Sequence, residues 1–301
     1  MLGLLQCTLY IKCHLFYIHF THLCLTFFDY NTIIKCFIRE YKYYAADIKV
    51  EICYVIINTN LKKIRKKVKT MVQSAFHEAT SIVNYIMEEG KIETFDANQY
   101  IFQAEDPIDS IYVIKSGNVV IHRVLEDGKE FNLKLLGRRN LFGVNTLFCG
   151  NKKHALFAKT KTKTTVYKMD LATFESAILN DEVLNYEWLL FIQNENEKQE
   201  YKLRDLYTLG KKGAVYSTLI RLTNTYGVET DVGIKLNIDL TNNELANFGG
   251  TTREGVNRII SELKQNGIIE TNNKKITIKD LDYLKNEINC ENCPLNICRI
   301  E

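Results

Sequence analysis

Residues 240–278 read LTNNELANFGGTTREGVNRIISELKQNGIIETNNKKITI, and the fold turns on how this stretch is read. Thr241 precedes an apolar-periodic run, and Glu244 completes a T-x-x-E capping box, so a helix starts here. Leu245 and Ala246 face inward from it. Gly249 and Gly250 permit a sharp turn and the close approach of a second helix, which Thr251 or Thr252 caps. In that helix Val256, Ile259, Ile260 and Leu263 stand at spacings of 0, +3, +4 and +7, on one buried face. Arg253, Glu254, Asn257 and Arg258 follow Thr252 on the other face, within the first two turns. That is where a recognition helix presents side chains to the major groove. Arginine can bind guanine O6 and N7 together, and glutamate can accept from cytosine N4. The hairpin that follows reads as a wing, with Lys264, Lys274 and Lys275 suited to phosphate contacts. A helix pair with an ordinary solvated face is the plain alternative. Cap, glycine turn, apolar spacing, exposed Arg/Glu pair and basic wing together favour DNA binding.

Upstream, AVYSTLIRLTNTYG reads as a helix and IKLNI as a strand. From Val183 to about Leu209 runs a long segment without Gly or Pro, apolar at Leu184, Trp188, Ile192, Leu203 and Leu206. One stripe on a long helix makes it a dimer seam or a domain connector. DLATFESAIL before it is helical, with Asp170 as N-cap. Between residues 92 and 170 lie short strands at regular intervals, which predict an all-β barrel or sandwich. SIYVIKSGNVVIHRV is strand, Ser-Gly turn, strand, with Val113, Val119 and Ile121 inward. LEDGKE is a hairpin turn, and TKTKTTVYKM is one strand. Residues 72–90 read as an entry helix.

The formal net charge of +3 is unevenly spread. Residues 1–70 carry 11 Lys+Arg against 4 Asp+Glu, which leaves the remainder at −4, so any nucleic-acid site must be a local basic face. In that first segment Ile, Lys, Tyr, Phe and Asn supply 34 of 70 residues, while Gly, Ala, Pro and Arg supply 5. No helical or strand period persists in it. Residues 2–28 are apolar, but His14, His19 and His22 interrupt them, against a membrane span. At Met71 the composition changes, so residues 1–70 are expected to be an untranslated or disordered extension. Five of nine cysteines precede Met71, and the later four are too few and too clustered for a secreted disulfide framework. A reducing cytoplasm fits better, with no membrane partner. No Gly-rich nucleotide loop, flavin fingerprint or Ser/His/Asp arrangement is visible, and His122 and His154 in the barrel have no paired acid. An enzyme is not expected.

Barrel, long helix and a winged helix-turn-helix carrying TTREGVNRII resemble the Crp/Fnr family of bacterial transcription regulators over about residues 75–288. SIYVIKSGNVVIHR and NLFGVNTLFCG are similar to the family's barrel strands and ligand-binding segment. The resemblance implies an α+β fold. A cyclic-nucleotide-binding-like β-roll, a jelly-roll barrel, spans residues 71–182. A dimerisation helix takes 183–209 and a winged helix-turn-helix 210–286, leaving a cysteine-rich tail at 287–301. It implies a homodimer on palindromic promoter DNA, with RNA polymerase as a further partner, and Arg253, Glu254 and Arg258 reading the half-site. The cyclic-nucleotide branch of the family uses a Gly-Glu pair for the ribose and an Arg-Ser pair for the phosphate. Here Val144 follows Gly143, and Lys153 and His154 stand where Arg-Ser would, so cyclic AMP is not expected.

The chain closes with CENCPLNICRIE. Cys290 and Cys293 can point at one metal centre, Pro294 stiffens the turn, and Cys298 returns a third thiol. Thiolates choose zinc, copper(I) or iron-sulfur clusters, and three are one short of a closed site. A thiol-disulfide switch through Cys290 and Cys293 is also open, as is no ligand at all. Cys149, after Phe148, reads as a core residue. The C-x2-C-x4-C spacing resembles the Fnr proteins of low-GC Gram-positive bacteria. That resemblance implies a 4Fe-4S cluster, an aspartate of the dimer-helix region as fourth ligand, and oxygen-responsive control of anaerobic metabolism. Asp205 is the choice for that ligand, with Glu200 in reserve and zinc as the alternative metal.

Overall fold

A short helix, α1 (Thr80–Glu89), leads into eight strands: β1 (Lys91–Phe95), β2 (Tyr100–Phe102), β3 (Ser110–Ser116), β4 (Val119–Val124), β5 (Glu130–Leu136), β6 (Leu141–Phe142), β7 (Phe157–Thr160) and β8 (Thr164–Asp170). The computed structural model describes residues 79–143, 147–148, 153–272 and 274–301. The readings made for residues 1–70, for residues 72–78 of the entry helix, and for Val144 and Cys149 lie outside them. The strands form two antiparallel four-stranded sheets, β1-β8-β3-β6 and β2-β7-β4-β5. Inside lie Phe95, Phe102, Tyr112, Ile114, Val119, Ile121, Leu136, Phe142 and Val166. Alternation puts these on the inner faces, and burying each such side chain stabilises by roughly 1.5–3 kcal/mol. TKTKTTVYKM is not one strand. Thr160 ends β7, and β8 starts at Thr164 after a turn that packs beside Gly117, whose φ of +95° only glycine takes readily.

Helix α2 (Leu171–Asn180) is capped by Asp170, whose side chain accepts from Thr173 N. A 27-residue helix, α3 (Glu182–Thr208), follows after a second cap at Asp181. Its apolar side chains serve two faces rather than the single stripe expected from sequence. Leu184 and Trp188 are buried, with Ile192 beside them, against Phe174, Ile82 and Ile86 of the chain's own barrel side. The buried carboxylate of Glu187 joins them by accepting from Ser81 N, Ser81 Oγ and Ile82 N at the start of α1. Leu203 belongs to a different, exposed face with Leu189, Gln193, Asn196, Glu200 and Tyr207. Those positions alternate four and three apart, the repeat of a coiled-coil seam. The two faces look like one stripe in the sequence because a 3.6-residue helix brings both apolar sets within about a quarter-turn of each other.

Beyond α3 come α4 (Gly210–Tyr226), β9 (Gly227–Thr230), β10 (Gly233–Leu236), α5 (Asn242–Phe248), α6 (Arg253–Gln265), β11 (Ile269–Asn272), β12 (Lys275–Ile278) and α7 (Leu281–Glu287). The strands pair in the order β11-β12-β10-β9. One core joins α4, α5, α6 and this sheet, and it takes in Leu135 of the barrel together with Cys298 and Ile300 of the tail.

Candidate nucleic-acid interface and cysteine site

Helix α5 starts in the expected capping box, with Thr241 and Glu244 exchanging both hydrogen bonds. Thr252, not Thr251, caps α6 by accepting from Gly255 N at 3.1 Å. Val256, Ile259, Ile260 and Leu263 are buried, and Thr252, Arg253, Glu254, Asn257 and Arg258 are exposed. The amphipathic spacing is therefore enough to aim the polar set at solvent. Two details were not legible beforehand. Asn257 accepts from Asn242 Nδ2 of α5 at 2.6 Å, which ties the two helices at the presented face. Lys275 is half-buried and pairs with Asp239 at 3.0 Å, whereas Lys274 at the wing tip is exposed, with a left-handed φ of 65°. Glu244 also pairs with Lys161 from the loop after β7, so the barrel grips the first helix of the motif.

The tail after α7 is ordered by its own turns and by both neighbouring layers. Asn289 and Asn292 take positive φ, a conformation asparagine tolerates, and so bend the chain on either side of Cys290. Ile297 N and Cys298 N both donate to Pro294 O at 2.9 Å. Asn224 of α4 donates to Cys298 O at 2.7 Å, Ile300 N donates to Thr225 Oγ1, and Leu135 N of β5 donates to Ile300 O at 3.2 Å. Ile297, Cys298 and Ile300 are buried, so the tail is a packed element and not a loose end.

Cys290, Cys293 and Cys298 line one cavity together with Asp205, Ser217 and Arg221. Asp205 is 5 % exposed. Its Oδ2 accepts from Ser217 Oγ at 2.6 Å and Arg221 Nη2 at 2.7 Å, and its Oδ1 accepts from Arg204 Nη2 at 2.8 Å and Nε at 3.1 Å. Burial works to raise its carboxyl, but hydrogen bonds from Ser217, Arg221 and Arg204 hold it below the usual range, as an anion. Arg204 also binds Glu291, between the first two cysteines. Burial pushes the Cys298 thiol up to about 12; Arg221 opposes this, and Cys293 and Cys290 add to it. Such a thiol cannot ionise unaided, and a bound cation would displace its proton. Soft thiols with one carboxylate suit a thiophilic metal group. Among the described residues no three His, Cys, Asp or Glu side chains converge tightly enough to hold an ion, so the donors surround the cavity rather than meet at a point. Cys290, Cys293 and Cys298 share that cavity as free thiols, and no one pair of them is singled out for a switch. The reserve ligand, Glu200, is exposed on the seam face of α3 and does not line the cavity. Arg204, Ser217, Arg221 and Glu291 escaped the sequence reading. The available signal was Ser217 and Arg221, four apart in the mostly apolar middle of a helix.

In the barrel, Lys153 is exposed and pairs with Glu105 at 3.3 Å. His154 is buried and lies flat on Phe102, with ring centroids 3.6 Å apart.

Known proteins bear on these two sites. The cyclic nucleotide-binding domain family matches residues 85–181, and the Crp-like helix-turn-helix domain family matches residues 214–287. The anaerobic regulatory protein of Bacillus subtilis (strain 168) is 35% identical over 243 residues, 80% of this chain and 100% of that protein. The global nitrogen regulator of Nostoc sp. is 28% identical over 188 residues, 62% of this chain and 84% of that one. The structure of FixK2 from Bradyrhizobium japonicum superposes with a TM-score of 0.58 at 18% identity, covering 65% of this chain and 96% of that one, a likeness of fold.

Proposed function

The chain belongs to the Crp/Fnr family of non-enzymatic, DNA-binding transcription regulators, and from that premise we propose that it is an oxygen-responsive regulator of anaerobic metabolism, working as a homodimer with a 4Fe-4S cluster held by Cys290, Cys293, Cys298 and Asp205. The observation that carries this reading is the shared cavity, where three thiols and one buried carboxylate from distant parts of the chain face each other. Their spread around that cavity suits a multi-atom group better than a single zinc ion. The similarity to a Bacillus protein named an anaerobic regulatory protein points the same way.

The exposed seam of Leu189, Leu203 and Tyr207 on α3 would pair with the same seam of a second copy. Two copies of α6 then lie about one helical turn, roughly 34 Å, apart, which selects palindromic promoter DNA. Thr252, Arg253, Glu254, Asn257 and Arg258 face the bases, and Lys274 and Lys275 at the wing face phosphate. RNA polymerase is the partner that a promoter-bound regulator of this kind addresses. The barrel is assigned no cyclic AMP: Lys153 turns to Glu105 and His154 is stacked on Phe102, so neither supplies a forked cation for a phosphate.

When bound, the cluster would supply an oxygen-labile link between tail and dimer helix. The protein's own residues carry the consequence. Cys298 is two residues from Ile300, which is wedged between Leu135 of the barrel and Thr225 of α4. Release of Cys298 would therefore loosen the packing that fixes the DNA-binding domain against the barrel. No helix among the described residues is long and apolar enough to cross a membrane, and the reducing cytoplasm is the compartment in which free thiols and DNA coexist.

Anaerobic purification followed by an iron and sulfide count tests the proposal. Broad visible absorption, about four irons per chain and bleaching in air are expected. A colourless zinc protein would keep the DNA-binding role and make the tail structural. Three free thiols around one cavity also suit a second reading, a thiol switch, which metal-free protein that loses DNA binding on oxidation would support.

A further inference from the structure

Arg221 is a costly residue to place where it is. It is 3 % exposed, in a stretch of α4 whose neighbours Leu219, Ile220 and Leu222 are buried and apolar. A guanidinium in such surroundings is rarely the most stabilising choice, because well-packed apolar side chains do as well or better. Its hydrogen bonds run to two atoms. Nη2 donates to Asp205 Oδ2 at 2.7 Å, and Nε donates to Ser217 Oγ at 3.3 Å. Ser217, one turn earlier on the same helix, donates to the same Oδ2 at 2.6 Å. Two donors from α4 therefore pin one oxygen of a carboxylate on α3. The other oxygen is held by Arg204, whose side chain is 35% exposed and also reaches Glu291 in the tail. Oδ2 is held from the buried side, whereas the partner of Oδ1 is partly exposed to solvent.

We propose that Arg221, with Ser217, is a positioning residue for the cysteine site: it fixes Asp205 as an oriented anion at the cavity wall, leaving Oδ1 as the oxygen that meets a bound metal group. This rests on the cluster reading given above. Metal-binding carboxylates are commonly oriented by such outer hydrogen bonds. The same contact ties the dimer helix to the first helix of the DNA-binding domain, so a ligand's hold on Asp205 is passed directly to α4.

The test uses the full chain, loaded anaerobically with iron and sulfide and then challenged with a ferrous chelator while visible absorbance is followed. Arg221→Gln is expected to lose iron about 10-fold faster than wild type, and Arg221→Lys by a smaller factor. Asp205→Ala is expected to lose it at least as fast as Arg221→Gln. In the Asp205→Ala background, Arg221→Gln adds nothing, because it acts through Asp205. Melting curves of the metal-free proteins report folding separately. If Arg221→Gln does not fold, Ser217→Ala carries the test, with a loss of a few-fold that vanishes in the Asp205→Ala background. Wild-type iron retention in Arg221→Gln, or a full additional loss in the double variant, overturns the role while leaving the cluster reading intact. A wild-type chain that takes up no iron overturns the cluster reading itself, and this role with it.

Discussion

The recognition helix turns its functional side chains outward, whereas the cysteine tail turns its own inward. In α6 every buried position is apolar, and the polar set from Arg253 to Arg258 points away from the protein. Its chemistry needs nothing from the rest of the chain except a stable platform. In the tail, Cys298 sits beside Arg221 of α4 and faces Asp205 of α3, 93 residues earlier in the chain. Its chemistry does not exist until three separate elements have packed. A site made for an external partner can be local, while one proposed to sense for its own protein has to touch the parts it would control.

That contrast can be broken by experiment. The largest effect is expected at Ile300, the buried residue that joins tail to barrel and α4. Ile300→Ala should lower unfolding free energy by about 2–5 kcal/mol in denaturant melts. An unchanged midpoint would mean the tail is not a packed element, and the comparison would collapse. Next comes Arg253→Ala, expected to weaken binding to the cognate site by about 1–3 kcal/mol in a fluorescence-anisotropy titration, with melting temperature unmoved. A matching loss of stability would show that α6 is less separable from the fold than its exposure implies.

A third effect sharpens the barrel side of the comparison. Lys202 of α3 donates to the carbonyls of Asn132 and Leu133 in β5 and lies over the rings of Phe131 and Phe248. Burial depresses its pKa to about 7, and Arg221 and Lys134 push in the same direction. Below about 7 folded and unfolded chains both hold the proton, and the burial penalty is fully felt. Between that value and its ordinary one, only the unfolded chain holds it. Stability from this group should therefore rise with pH, by at most ~1.4 kcal/mol per unit, and Lys202→Met should flatten the slope measured by urea melts from pH 7 to 9. The smallest effect is Thr241→Ala, which removes the α5 cap and should cost about 1 kcal/mol in the same melts.

What could be read in advance follows the reach of the forces involved. Capping boxes, glycine turns and apolar periodicity act within four or five residues, so α2, α5, α6 and the hairpins stood in the sequence nearly as they stand in the fold. The register of α3 against its surroundings did not. Its two apolar faces differ only in what covers them, and periodicity records that a face is apolar, not which neighbour it meets. The same holds for Asp205: an aspartate near a helix end reads as ordinary until the helix after it supplies Ser217 and Arg221.

By itself, then, the sequence determined the layered order of barrel, long helix and winged motif, the outward set on α6, and the thiol spacing from Cys290 to Cys298. Only the tertiary structure decided that the tail packs between barrel and DNA-binding domain, and that Asp205 rather than Glu200 lines the cavity. The physical reason is distance along the chain. Local hydrogen bonds and side-chain periodicity are encoded where they act, but burial of a charge is settled by whichever remote group offers it a partner.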